Sequence, residues 1–180
     1  WLFSMAGGVA ASRVALWNGS AWSALGSGMS GGVNALAAAG NNSVYAGGQF
    51  ATAGGATVNS LAHWNGTSWS GVGGGVTGIG RIETIALAGG GQLYAGGEFT
   101  KIGGVSANNI AFWNGSAWKA LGAGTAKGQN STHATVRALA VTGRTLYVGG
   151  DFTEAGGMEA NRIAVWYYCG WDTMGSGMND

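Results

Sequence analysis

Four times along the chain, two tryptophans stand five positions apart: Trp17 and Trp22, Trp64 and Trp69, Trp113 and Trp118, Trp166 and Trp171. Three of these segments enclose Asn-Gly, as Asn18-Gly19, Asn65-Gly66 and Asn114-Gly115. The fourth carries Tyr167-Tyr168-Cys169-Gly170 in its place. Asn-Gly is the dipeptide that most favours a two-residue type I′ turn, because both turn residues need positive φ. Tryptophan is a strand residue with a large apolar surface. Each segment therefore predicts the tip of a β-hairpin, with both turn residues at positive φ.

The first tryptophans fall at 17, 64, 113 and 166, so the hairpin returns after 47, 49 and 53 residues. That interval is the length of a four-stranded propeller blade. The residues between supply the other strands. An alternating run begins each unit (Val33–Ala37, Ile82–Ala86, Val136–Ala140), and a second strand follows (Val44–Gly48, Leu93–Gly97, Leu146–Gly150). A connector then holds a phenylalanine and a Gly pair (Phe50–Gly55, Phe99–Gly104, Phe152–Gly157) and leads to the strand carrying the first tryptophan. The longest linker, 125–135, is predicted to protrude. The expected fold is all-β, a β-propeller segment of four-stranded antiparallel blades. The expected division is a half blade over 1–32 and blades over 33–81, 82–135 and 136–180.

The half blade holds only the third and fourth strands, because Phe3–Gly8 aligns with the connector and Val14–Trp17 with the third strand. Joining the chain's two ends would set a third strand directly after a fourth. Joining two copies would have the same fault. A longer propeller is the expectation, with further strands of the same protein or a protein partner covering the open sheet edges.

Composition narrows the class. Charged residues make up 8% of the chain, against about 25% in a typical domain, while hydrophobic residues reach 46%, with 38 glycines and nine tryptophans. Disorder is excluded by that apolar content. The net charge of +1 comes from scattered residues and leaves no footprint for nucleic acid. No apolar run approaches the roughly 18 residues of a membrane helix. Cys169 is the only cysteine, so no disulfide forms within the chain.

The ordered pattern Tyr-x-Gly-Gly-x-Phe, x-Gly-Gly, Ile-Ala-x-Trp-Asn-Gly-x-x-Trp, x-Leu-Gly-x-Gly resembles the propeller repeats of large secreted and cell-surface bacterial proteins. It is also similar to the repeats of the fungal cortical cell-polarity marker family. The resemblance covers nearly the whole chain. It implies an extracellular propeller without shared catalytic residues. Trp1-Leu2 departs from the pattern ahead of Phe3, and Tyr167–Gly170 departs from it at the fourth hairpin, where an end-specific contact is expected.

Candidate chemistry is sparse, and no cofactor or metal set is indicated. The Gly-rich runs look like phosphate loops but open no helix and hold no Gly-Lys-Ser/Thr. The two histidines read as a strand side chain (His63) and a loop residue (His133). Gln49, Glu98 and Asp151 share one position between Gly-Gly and Phe, which reads either as a polar turn residue or as a ring on one face offering a ligand site. The second tryptophans, Trp22, Trp69 and Trp118, are expected to be more exposed than the first. They read either as packing between blades or as platforms for sugar rings. Asn18, Asn41, Asn65, Asn114 and Asn130 each begin an Asn-x-Ser/Thr glycosylation acceptor.

Together these features predict a non-enzymatic extracellular or cell-surface propeller, a scaffold or protein adhesion module, glycosylated at its loops. A carbohydrate-binding lectin and a fragment of a larger secreted enzyme are the alternatives.

Overall fold

The computed structural model describes residues 2–40, 42–128, 134–167 and 170–178. Asn41, Asn130, His133 and Cys169 lie outside these. The described residues form strands and turns, with no helix, so none is long and apolar enough to cross a membrane.

Two small hairpins come first: β1 (Met5–Ala6) with β2 (Val9–Ala10), then β3 (Ala15–Trp17) with β4 (Trp22–Ala24). Next are β5 (Gly32–Gly40), β6 (Ser43–Gln49), the minor hairpin β7 (Thr52–Ala53) and β8 (Ala56–Thr57), β9 (Leu61–Trp64) and β10 (Trp69–Gly71). The order repeats as β11 (Arg81–Gly89), β12 (Gln92–Glu98), β13 (Lys101–Ile102), β14 (Val105–Ser106), β15 (Ile110–Trp113) and β16 (Trp118–Ala120). After β17 (Thr125–Ala126) it returns as β18 (Thr135–Thr142), β19 (Thr145–Asp151), β20 (Glu154–Ala155), β21 (Met158–Glu159), β22 (Ile163–Tyr167) and β23 (Gly170–Thr173).

Three four-stranded antiparallel sheets result: β5-β6-β9-β10, β11-β12-β15-β16 and β18-β19-β22-β23. Their first strands begin at Gly32, Arg81 and Thr135, each one residue ahead of the boundaries read from sequence. In all three the first strand is bulged at the same place, between Val33 and Ala35, Ile82 and Thr84, and Val136 and Ala138. A bulge leaves one residue unpaired and bends the strand. The glycine opposite is forced by this close approach: a Cβ on Gly48 would stand 2.0 Å from the Gly32 carbonyl oxygen.

The turn expectation is corrected. Trp17 pairs with Trp22, Trp64 with Trp69 and Trp113 with Trp118, so the loop between them has four residues. Only its glycine takes positive φ, near 100° in Gly19, Gly66 and Gly115. Asparagine instead closes the loop with its side chain. Asn65 Oδ1 accepts from the Thr67 amide, the Thr67 hydroxyl and the Ser68 amide at 2.9 Å. Asn18 and Asn114 do the same. This is the Asx-turn that short polar side chains favour. The two-residue turn with both residues at positive φ occurs in the minor hairpins, where Gly54 and Gly55 take 57° and 85° between Ala53 and Ala56. The fourth hairpin keeps the tryptophan pairing, and Tyr167 pairs with Gly170.

The core lies between sheets. One cluster joins Val14, Leu25 and Met29 to Phe50, Trp64 and Trp69; the next joins Tyr45, Leu61 and Val72 to Ile82, Leu93 and Phe99; the third joins Ile110 and Leu121 to Val136, Leu146 and Phe152. Phe50, Phe99 and Phe152 are all buried, each contributing about 2–3 kcal/mol of transfer free energy.

Candidate functional site

The tryptophan hairpins form the junctions between successive sheets. Within each pair the indole centroids lie 5.3–5.4 Å apart and tilted or edge-on, a favourable aromatic geometry. The second indole then reaches the preceding sheet. Trp69 Nε1 donates to the Leu25 carbonyl at 2.8 Å, Trp118 Nε1 to Val72 at 3.3 Å, and Trp171 Nε1 to Leu121 at 2.8 Å. A backbone bond runs alongside: the amides of Gly54, Gly103 and Gly156 donate to the carbonyls of Gly28, Gly75 and Gly124. A bridge completes each junction, pairing Met29 with Ala53, Val76 with Ile102, and Thr125 with Ala155.

This geometry decides how much indole is left for a sugar. Trp69 and Trp118 are 6% and 5% exposed, and their polar handles are already bonded. The expectation that the second tryptophans stand more open than the first is overturned, since Trp64 is 8% exposed and Trp113 is half-buried. Neither Trp69 nor Trp118 offers a stacking face. Trp22 does, at 41% exposure, beside Trp17 at 49%.

No family model, curated protein or solved structure matches the chain. The candidate residues are therefore weighed on their own surroundings.

Gln49, Glu98 and Asp151 end β6, β12 and β19 in one shared register, opposite Gly32, Arg81 and Thr135. The two carboxylates are each committed to a cation. Glu98 Oε2 lies 2.8 Å from Arg81 Nη1, and Asp151 Oδ1 lies 2.7 Å from Lys127 Nζ. The hydrogen bond from Lys127 holds the Asp151 carboxyl below its ordinary range. Arg81 also pairs through Nε with Glu83, whose other oxygen accepts from Asn34 Nδ2 at 3.0 Å. Asn34 Nδ2 further donates to the Ile82 carbonyl.

Sequence reasoning missed this line of Asn34, Glu83, Arg81 and Glu98. No pattern in the sequence marks it, because the register shift that leaves Asn34 and Glu83 unpaired and free to reach sideways belongs to the strand pairing. Among the described residues no group of three or more His, Cys, Asp or Glu is placed to hold a metal ion.

His63 sits half-buried on β9, opposite Tyr45, with the two rings stacked at 4.5 Å. Its Nε2 lies 2.8 Å from Ser43 Oγ. Burial lowers the histidine pKa and raises that of Tyr45. Among the described residues no carboxylate bonds to the ring, so the pair lacks the orienting acid of a Ser-His-Asp set. Phe112 takes the same place in the next sheet, 4.8 Å from Tyr94, so His63 occupies a place where a ring packs across the strands.

Asn18 and Asn65 are exposed and Asn114 half-buried. In each loop Oδ1 accepts all three bonds of the Asx-turn, while Nδ2, the atom that a glycan would be joined to, takes no part.

Proposed function

We propose that the chain is a segment of an extracellular β-propeller, three blades and a half, working as a non-enzymatic scaffold or protein adhesion module. The observation that supports it best is the junction made three times with the same atoms. A first strand runs beside each junction, and β11 packs against both β5 and β18, as the innermost strands of a propeller converge. A rigid succession of sheets whose polar side chains are tied to one another suits display of loops better than chemistry. The sparsely charged composition and the Asn-x-Ser/Thr loops at Asn18 and Asn65, both exposed, fit a secreted, glycosylated surface.

Under this reading further strands complete the half blade. Between β3–β4 and the first sheet lies a cleft of about 620 Å³, lined by Leu16, Leu25, Leu36, Val44 and Trp64. Leu16 and Leu36 are 43% and 56% exposed there. An inner hairpin from elsewhere in the protein would cover both leucines and pair with the free edge of β3.

A glycan array, backed by titration of tryptophan fluorescence, tests the scaffold against the lectin. The expected result is no saturable response to any sugar. Binding that is competed by the free sugar and lost in Trp22→Ala would replace the scaffold with a carbohydrate-binding propeller.

A further inference from the structure

The hairpin tips bring together the parts of a reaction of the chain with itself. Asn18, Asn65 and Asn114 are each followed by glycine, and no other asparagine in the chain is. Glycine has no Cβ to keep its own nitrogen away from a neighbouring group. Among the described residues the amides of Gly19, Gly66 and Gly115 donate to no acceptor, so these nitrogens are uncommitted. Each tip also has room to rearrange. A Cβ on Gly19 or Gly115 would meet nothing within 4 Å, and one on Gly66 would meet only Asn42, at 3.8 Å.

Against this stands the clamp on the asparagine. Oδ1 accepts from the hydroxyl two places on, that of Ser20 at 3.0 Å, Thr67 at 2.9 Å and Ser116 at 3.0 Å. It accepts from two amides as well, those of Ser20 and Ala21, Thr67 and Ser68, and Ser116 and Ala117. Donors to an sp² oxygen lie near the plane of its carbonyl. A nucleophile has to reach the carbonyl carbon from above that plane. Three bonds on one oxygen fix the side-chain torsions, so the glycine nitrogen reaches Cγ only once the asparagine lets go.

We propose that Asn18, Asn65 and Asn114 are sites of spontaneous conversion to aspartate and isoaspartate, gated by the hydroxyls of Ser20, Thr67 and Ser116. In the opened loop the Gly66 nitrogen bonds to Asn65 Cγ. The Cγ–Nδ2 bond breaks, and Nδ2 leaves as ammonia with the proton that the Gly66 amide gives up. Water then adds to the five-membered imide. Breaking the bond from nitrogen to Cγ leaves aspartate, and breaking the bond from nitrogen to the main-chain carbonyl leaves isoaspartate, with the backbone rerouted through Cγ. Nothing is oxidised or reduced. The observed rate is the rate of the open loop multiplied by its population, which the clamp keeps small. Each conversion adds one negative charge to a chain whose net charge is +1. The Ser or Thr of each Asn-Gly-Ser/Thr triplet thus has work to do in a chain that carries no glycan. Failure of this inference would leave the propeller reading standing.

The test follows the 180-residue chain, made in a host without N-linked glycosylation, through a long incubation at mildly alkaline pH. Peptide mass spectra locate each new acid, and enzymatic methylation of isoaspartate counts the rerouted product. Expected is conversion at Asn18, Asn65 and Asn114 ahead of every other asparagine, and faster in urea than in the folded chain. Thr67→Val, which keeps the shape and removes the hydroxyl, should speed conversion at Asn65 about five- to tenfold, the worth of one hydrogen bond. Thr67→Ser, which restores the hydroxyl, should convert like the parent. Asn18 and Asn114 in the same molecules are the internal standard and should keep their rates. Three asparagines that stay intact, or that convert no faster than the rest, overturn the proposal. So do a folded chain that converts faster than the unfolded one, a Thr67→Val rate equal to the parent's, or a Thr67→Ser rate equal to that of Thr67→Val.

Discussion

The indole of Trp69 donates its hydrogen to the carbonyl of Leu25, and the same bond recurs one unit later from Trp118 to Val72 and two units later from Trp171 to Leu121. Each second tryptophan is both the aromatic partner of its own hairpin and the fastener to the sheet before it. Removing one should therefore open a junction as well as a core. Trp118→Ala is expected to cost about 3–5 kcal/mol, as large-to-small core changes do. Trp22→Ala, at an indole that is 41% exposed, should cost under about 1 kcal/mol. Urea unfolding of the two variants at low protein concentration checks the contrast, and equal losses would deny the junction its role.

Glycines of one Gly-Gly pair should differ sharply. Gly103 has φ of 55°, and a Cβ there would stand 2.4 Å from both Trp118 Cδ1 and the Gly73 carbonyl oxygen. Gly104 has φ of 80° and open space around it. Gly104→Ala should lose only the left-handed strain, about 1 kcal/mol. Gly103→Ala adds a collision with backbone that cannot give way, for a total of about 2–4 kcal/mol. Thermal melts of both variants decide it.

Acid should weaken the first sheet through His63. Its pKa is lowered by burial, so the unfolded chain binds the proton more readily than the folded one. The stabilisation is complete above the ordinary histidine value of about 6.5, and is lost as the pH falls through the lower folded value. His63→Phe, which copies Phe112, should flatten the dependence in that window. Asp151 acts at lower pH, because its pKa is depressed by Lys127 from a carboxylate value. Stability measured from pH 7.5 down to pH 5 in both proteins gives the answer. A variant that retains the full slope would assign it to another group.

The Asx loops make a chemical prediction. Asn65→Ala removes the acceptor of three bonds at an exposed turn and should cost about 1 kcal/mol, read from urea midpoints. Expressed in a glycosylating host, the parent chain should carry glycans at Asn18 and Asn65. Intact glycopeptide spectra with every acceptor asparagine bare would remove glycosylation from the proposed function.

The spacing of the tryptophans was enough to place the strands and their grouping in fours, because a hairpin that recurs every 47 to 53 residues leaves little else for the chain between to do. Turn chemistry was less legible. Asn-Gly serves either a two-residue turn or a four-residue Asx loop, and only the pairing of Trp17 with Trp22 distinguishes them. The left-handed residues ahead of the third strand were invisible. Arg13, Ser60, Asn109 and Arg162 all take positive φ and donate their amides to the carbonyls of Phe3, Phe50, Phe99 and Phe152, yet they are two arginines, a serine and an asparagine. Asparagine alone among them suits that conformation. The depth of the second tryptophans was misread for a similar reason. A strand face open within one hairpin is covered by the next sheet, and local pattern carries no record of that.

The junction bonds run one unit back and no further. Fastened this way, the chain behaves as a row of coupled segments whose stability is a sum of units and the seams between neighbours. With residues 1–180 taken by themselves, opening should begin where a unit has a single seam and travel inward. Amide exchange would then show slowest protons in β11 and β12, flanked on both sides, with protection falling toward β3–β4 and β22–β23. The molecule would loosen as a zipper does from its ends, shedding outer units while the middle sheet still holds.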